Sequence, residues 1–155
     1  MTAIGAAIVI LLAGLSLAGT PARAADVAAA VRIEDAWARR ASMAGHGMGA
    51  GAPRGTGAAY ITIRNASAEP ETVLAASSDA ADAVELHETI RDGEVMRMRP
   101  AGCFDIPAGG TLEMKSGGKH LMLINLRRDL KPGDRVQITL IFGRGGPMSL
   151  EVPVR

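Results

Sequence analysis

Cysteine is almost absent from this chain of 155 residues, in which Cys103 is the single example. One cysteine excludes an intramolecular disulfide, a Cys-x-x-Cys redox pair and a zinc site built on several thiolates. Aromatic residues are also scarce, with one Trp, one Tyr and two Phe, too few for a surface that stacks nucleic-acid bases. The formal net charge is only +1 and no polybasic run is present, so the sequence argues against nucleic acid as a partner.

The longest apolar run lies near the N-terminus, over residues 4–17. It is too short for a transmembrane helix, which needs about 20 apolar residues. The run suits the apolar part of a signal peptide, and Ala22-Arg23-Ala24 provides the small-x-small cleavage pattern, although no Lys or Arg precedes it. We therefore expect residues 1–24 to be a signal peptide and residues 25–155 to form one exported domain with no membrane span after cleavage. An uncleaved anchor is the alternative.

The remainder of the chain is typical of an all-β protein. Short alternating segments, separated by turn residues, predict strands at 31–37, 59–64, 71–75, 83–89, 94–98, 111–115, 120–126, 135–142 and 148–154. Many short strands without a long helical period indicate an antiparallel β-sandwich or barrel. Residues 77–84 alone suggest a helical turn, and the glycine-rich residues 41–57 predict a loop.

Methionine is abundant, with eight residues against four aromatics, and all three histidines lie near methionines. His120 and Met122 are two residues apart on one predicted strand, so both side chains project from the same face. Met96 and Met98 share a face of another strand, and a hairpin would bring His87 back toward them. Imidazole and thioether groups favour copper, and Cu(I) in particular, over Mg²⁺ or Ca²⁺. The competing interpretation is ordinary core packing of these histidines and methionines.

The spacing H-x10-M-x21-H-x-M between His87 and Met122 resembles the signature of the PCuAC family of periplasmic copper chaperones. The resemblance implies a cupredoxin-like antiparallel β-sandwich of Greek-key topology that binds one Cu(I) ion. It also implies His87, Met98, His120 and Met122 as the copper ligands. Further segments that look like the family are VRIEDAWAR (31–39), GAAYITIRN (57–65), VELHET (84–89), GEVMRMRP (93–100), IPAGGTLEMKSGGKHLMLINL (106–126) and LKPGDRVQITLIF (130–142).

The function implied by the resemblance is transient delivery of copper, in the periplasm, to a protein of cytochrome c oxidase assembly, chiefly to the CuA centre. Copper buffering or resistance without a dedicated acceptor is the alternative, and the ligand set does not separate the two. Blue-copper electron transfer is disfavoured because no histidine closely follows Cys103. A metal-free interaction domain is a third possibility, and the absence of recognisable hydrolase motifs argues against an enzyme.

Other methionines and histidines are candidates for auxiliary copper binding. Met96 lies one residue pair from Met98, where it serves either in packing or as an additional donor. The glycine-rich loop carries Met43, His46 and Met48, and its second H-x-M suggests a copper-capturing arm, against the alternative of an incidental solvated insertion. We expect Met114 to lie in the core and Cys103 to be a buried small hydrophobe rather than a ligand.

Overall fold

The computed structural model describes residues 30–44 and 54–155 and is built from β-strands. The predicted signal peptide, residues 1–24, lies outside the described residues, and within them no helix has the length and apolarity to cross a membrane. The strands are β1 (Val31–Ala38), β2 (Gly57–Asn65), β3 (Glu71–Ser78), β4 (Ala81–Asp92), β5 (Val95–Pro100), β6 (Phe104–Ile106), β7 (Thr111–Glu113), β8 (Lys119–Leu126), β9 (Arg135–Phe142) and β10 (Gly146–Pro153).

Each predicted strand overlaps an observed one, but two features differ from the sequence prediction. The helical turn expected over residues 77–84 is wrong, because the chain there passes from β3 to β4 through a tight turn. Ala80 and Ala81 are buried in the core, and the carboxylate of Asp79 accepts a hydrogen bond from the backbone N–H of Gln137 on β9. The short strand β6 has only three residues, too few for a recognisable alternation.

The strands form one antiparallel sheet that curls back on itself. Its order is β1-β2-β8-β4-β3-β9-β10, with β5 added to β4, β6 to β3 and β7 to β2. An isolated bridge between Ala38 and Val154 joins β1 to the end of β10 and closes the sheet. The predicted all-β, single-domain sandwich is therefore confirmed, in a form close to a barrel.

The core lies between the inward faces of these strands. Every second residue of the central strands has a side chain that is at most a few per cent exposed. Met114 belongs to this core, as predicted. Each fully buried Leu or Ile contributes about 1.5–3 kcal/mol to folding. The central inward-facing residues are Ile61, Ile63, Leu121, Leu123, Ile138 and Leu140.

One carboxylate is buried with this core. Glu71, 1% exposed, begins β3 and accepts hydrogen bonds from the backbone N–H groups of Thr72, Arg144 and Gly145 at 2.8, 3.0 and 2.9 Å. Two of these donors lie in the turn between β9 and β10. The side chain therefore fastens that turn to β3 while its own charge is solvated by backbone dipoles.

Candidate metal centre

The two strand histidines lie opposite each other on neighbouring strands. β4 pairs with β8 so that His87 is the direct partner of His120, and their ring centroids are 5.9 Å apart. Both side chains are buried, with exposures of 8% and 4%. Met122, two residues further along β8, projects from the same face, which places an imidazole pair beside a thioether.

Met98 reaches the same face from β5. It is the partner of Thr89, which lies two residues from His87 on β4, so Met98 is diagonally adjacent to His87. Its side chain is 56% exposed because β5 is an edge strand whose six residues are all exposed. Met98, His120 and Met122 line one open pocket of about 360 Å³. The fold thus brings all four motif residues to one face.

Hydrogen bonds assign a free nitrogen lone pair to each histidine. Nδ1 of His120 donates to the carbonyl oxygen of Gly118 at 3.0 Å, which leaves Nε2 as the unprotonated nitrogen. Nε2 of His87 lies 2.9 Å from a carboxylate oxygen of Glu85, to which it donates. Nδ1 of His87 is buried and has no hydrogen-bond partner within the described residues. Each ring is therefore held by one nitrogen and offers the other.

An unpartnered buried nitrogen requires a physical explanation. Leaving such a group unsatisfied costs about 1–3 kcal/mol, so native proteins rarely do it without a function. Within the part of the chain that the structure describes, no three or more His, Cys, Asp or Glu residues are grouped to hold a metal. The additional donors beside the histidines are thioether sulfurs, and this donor set suits a soft monovalent ion.

Two aromatic rings lie beside His120. The ring centroid of Tyr60 lies 6.3 Å from that of His120, and the ring centroid of Trp37 lies 4.5 Å from that of Tyr60, with the two planes tilted by 35°. The guanidinium of Arg155 lies 6.0 Å from the Trp37 ring centroid. Sequence reasoning did not place these aromatics at the site. The only sequence signal was the alternation of side chains along β2. In the structure Ala58 of β2 pairs with Met122, so Tyr60, two residues further on, lies on the same face as Met122.

The two ends of the glycine-rich loop and the residues flanking them form the rest of the pocket wall, through residues 39–42, 44 and 55–58. We call the place where these ends meet the loop neck, comprising Ser42, Met43 and Gly55. The Gly55 N–H donates to the Met43 carbonyl at 2.8 Å, and Asp129 accepts from the Met43 N–H, also at 2.8 Å. A Cβ at Gly55 would lie 1.9 Å from the Ser42 carbonyl oxygen, so the neck requires glycine there.

The two auxiliary candidates that the structure describes, Met96 and Met43, lie in different places. Met96 is 55% exposed on the same face as Met98, one residue pair further along β5, but it does not line the pocket. Met43 is 40% exposed and faces a separate surface pocket beside Asp129. His46 and Met48 lie outside the described residues.

Cys103 differs from the sequence expectation, because it is exposed rather than buried. It lies in the short connection between β5 and β6, and the inward position is taken by the next residue, Phe104, which is 2% exposed. Its neighbours in a shallow surface pocket include Glu88 and Arg99. These two residues pair across β4 and β5 on the face opposite His87 and Met98, so the thiol belongs to the other side of the sheet.

Comparison with known proteins gives a consistent family assignment. The family model described as "Putative lipoprotein LpqE-like" matches residues 31–154. "Putative lipoprotein Lxx21020" of Leifsonia xyli subsp. xyli is 35% identical over 140 residues, covering 89% of this chain and 75% of the relative. "Uncharacterized protein RP573" of Rickettsia prowazekii is 34% identical over 86 residues, which are 55% of this chain and 48% of that protein.

Solved structures share the fold. The copper-bound PCuAC domain from PmoF2 superposes with a TM-score of 0.62 at 18% identity, covering 81% of this chain and 92% of that domain. The solution structure of CuI-DR1885 from Deinococcus radiodurans gives a TM-score of 0.56 at 29% identity, covering 77% of this chain and 76% of that one. The resemblance implied by the histidine and methionine spacing is confirmed, and the chain belongs to the LpqE-like family with the fold of PCuAC domains.

Proposed function

We propose that this protein is an exported copper chaperone that carries one Cu(I) ion on His87, Met98, His120 and Met122. The observation that carries the proposal is the unpartnered, buried Nδ1 of His87 beside a second histidine with a free Nε2. The similarity to structures described as copper-bound and as a CuI form supports the same metal.

The chemistry of the donor set fits a carrier. Two imidazoles and two thioethers are all neutral, so the loaded site keeps the single positive charge of Cu(I), and soft donors favour this ion over harder ones. The histidines are held rigidly in the sheet by hydrogen bonds, whereas Met98 is exposed on an edge strand. Release therefore begins at Met98, where a donor of an acceptor protein replaces the thioether within a docked complex.

The acceptor in this proposal is a protein of cytochrome c oxidase assembly, with the CuA centre as the destination, and the compartment is the periplasm. Export rests on residues 1–24 acting as a signal peptide. The alternative is a periplasmic copper buffer without a dedicated acceptor.

Anaerobic Cu(I) titration tests the binding site. The wild-type protein and a Met114→Leu control, which changes a buried core methionine at similar volume, are each expected to bind one tight Cu(I) ion. The His120→Ala/Met122→Ala double variant is expected to lose that ion. A folded wild-type protein that binds no Cu(I), or a double variant that binds it as tightly as wild type, would overturn the proposed function.

Oxidase activity and survival of a gene-deletion strain distinguish copper delivery from copper buffering. Deletion of the gene is expected to lower oxidase activity when copper is scarce, with little effect on survival when copper is abundant. The opposite pattern, normal oxidase activity and reduced survival in high copper, would instead support the buffering alternative.

The glycine-rich loop is proposed as an auxiliary copper-capturing arm through Met43, His46 and Met48, with Met96 as an additional donor beside the main site. The loop neck, formed by the described ends of this segment, lies beside the pocket that contains Met98 and Met122. A His46→Ala variant is expected to lose a weak phase of the copper titration while keeping the tight ion. Equal stoichiometry and equal weak-phase affinity in both proteins would remove the auxiliary role.

A further inference from the structure

Arginines on the two faces of the β4–β5 hairpin differ in their pairing. On the face opposite the site, Arg97 and Arg99 form ion pairs with Asp92 and Glu88 at 2.8 and 2.6 Å. On the site face, Arg91 pairs with Met96 in register and makes no ion pair with a described residue. The arginines of one face of the hairpin are therefore ion-paired, whereas Arg91 on the other face has no ion pair among the described residues.

The opposite wall of the site also carries arginines that have no ion pair. Arg39 and Arg40 are exposed, line the pocket that contains Met98, His120 and Met122, and form no ion pair within the described residues. The sequence between the loop ends, residues 45–53, contains no Asp or Glu. Two carboxylates border these residues: Glu85, which accepts a hydrogen bond from His87, and Asp129, which shares a neighbouring pocket with Arg40 and accepts a hydrogen bond from the Met43 N–H. Cations thus flank a donor set that has no charge of its own.

Exposed apolar surface lies between these cations. Met96 and Met98 are 55% and 56% exposed on β5, an edge strand that pairs only with β4 within the described sheet. An accessible apolar centre with charged residues around it is the usual arrangement of a transient protein interface. We name this surface, formed by Arg39, Arg40, Arg91, Met96 and Met98, the docking face.

We propose that the docking face binds an acidic surface surrounding the copper site of the acceptor protein. The inference rests on the proposed function, because it identifies the partner of the same site. Complementary charge raises protein association rates from about 10⁵–10⁶ M⁻¹s⁻¹ toward 10⁸–10⁹ M⁻¹s⁻¹ at low salt. Neutral ligands leave the positive charge of Cu(I) on this face, so loading strengthens the attraction and unloading weakens it, which favours departure after transfer.

Cu(I) transfer to a matched pair of synthetic peptides tests the docking face. Both peptides carry the same Cys-x-x-x-Cys copper site, flanked by Glu in one and by Lys in the other. Copper-loaded protein is expected to transfer Cu(I) at least tenfold faster to the Glu peptide at low salt. The difference is expected to shrink as the Debye length falls from about 30 Å at 0.01 M salt to about 8 Å at 0.15 M.

Two double variants, each lacking two arginines, provide the test of the docking face and its matched control. Arg40→Gln/Arg91→Gln is expected to slow transfer to the Glu peptide about tenfold and to reduce its salt dependence. Arg97→Gln/Arg99→Gln, which removes the paired arginines of the other face, is expected to stay within about twofold of wild type.

Cu(I) stoichiometry, measured for every variant, separates the two proposals. An Arg40→Gln/Arg91→Gln protein that binds one Cu(I) and transfers it at the wild-type rate would overturn the docking face while leaving the copper carrier intact. Equal rates to both peptides, or equal slowing by both double variants, would also overturn it. Failure of the wild-type protein to bind Cu(I) would overturn the proposed function itself.

Discussion

Glu85 holds His87 from two residues away on the same strand, with 2.9 Å between its carboxylate oxygen and Nε2 of the imidazole. Glu85 is also the direct partner of Met122 on β8, so the carboxylate stands at the border of the proposed copper site. A carboxylate that accepts from one imidazole nitrogen fixes the orientation of the ring and leaves the other nitrogen available to a metal. Glu85 is therefore a positioning residue for His87.

Replacement of Glu85 separates this positioning role from simple packing. Glu85→Ala removes the acceptor and is expected to weaken Cu(I) affinity about 10–100-fold, whereas Glu85→Gln keeps an acceptor oxygen and is expected to lose less. Nitrogen NMR of the metal-free protein reports which His87 nitrogen carries the proton, and Glu85→Ala is expected to mix the tautomers. An Ala variant with the wild-type tautomer and wild-type affinity would contradict the assignment.

Met98 and Met96 form a natural matched pair for testing the ligand assignment. They lie two residues apart on the same face of β5 with nearly equal exposure, so replacement by Ala costs each about the same stability. Met98→Ala is expected to weaken Cu(I) binding at least tenfold, and Met96→Ala to leave the tight ion within about threefold of wild type. Competition with a chromogenic Cu(I) chelator measures both. A larger loss of affinity in Met96→Ala than in Met98→Ala would reassign the β5 ligand to Met96.

Cys103 is expected to have no part in the main site. Its thiol lies beside Glu88 and Arg99, which occupy the face of the sheet opposite His87. Cys103→Ser should therefore leave both Cu(I) stoichiometry and affinity unchanged, measured in the same chelator competition. A tenfold loss in the Ser variant would show that the exposed thiol takes part in binding.

Glu71 is expected to be essential for stability but not for copper. Replacement by Ala leaves three backbone N–H groups without their acceptor, and we expect a loss on the order of 3 kcal/mol in the free energy of unfolding. Glu69→Ala is the control, since that exposed side chain makes only a surface ion pair with Arg144 at 3.5 Å, worth about 0–1 kcal/mol. Urea denaturation compares the two variants. Equal midpoints would show that the buried carboxylate contributes no net stability.

Alternation along the chain predicted most of the fold because apolar residues at every second position mark strands with one buried face. The same rule placed His120 and Met122 together without knowledge of strand order. Tyr60 could not be placed at the site, because its contact with His120 depends on how β2 and β8 pair across a long separation in sequence. Cys103 was mispredicted since burial statistics describe residue types, whereas a short connection leaves room for only one inward side chain, here Phe104.

The pairing of arginines also lay beyond the sequence. Arg91, Arg97 and Arg99 belong to one short stretch and look equivalent in composition, but register decides which of them faces an acid. Arg97 and Arg99 form ion pairs with Asp92 and Glu88 on their own face, whereas the register partner of Arg91 is Met96. Only the paired strands reveal that Arg97 and Arg99 are ion-paired on one face while Arg91 on the other face is not.

The loop neck has a consequence for how this protein changes over evolutionary time. A backbone hydrogen bond between Gly55 and Met43 and the requirement for glycine at position 55 close the neck through contacts between its own two ends. Each doubling of a connecting segment costs only about 0.6 kcal/mol of closure entropy. We therefore expect the sandwich to tolerate substitutions and insertions between the two ends of the neck with little loss of stability.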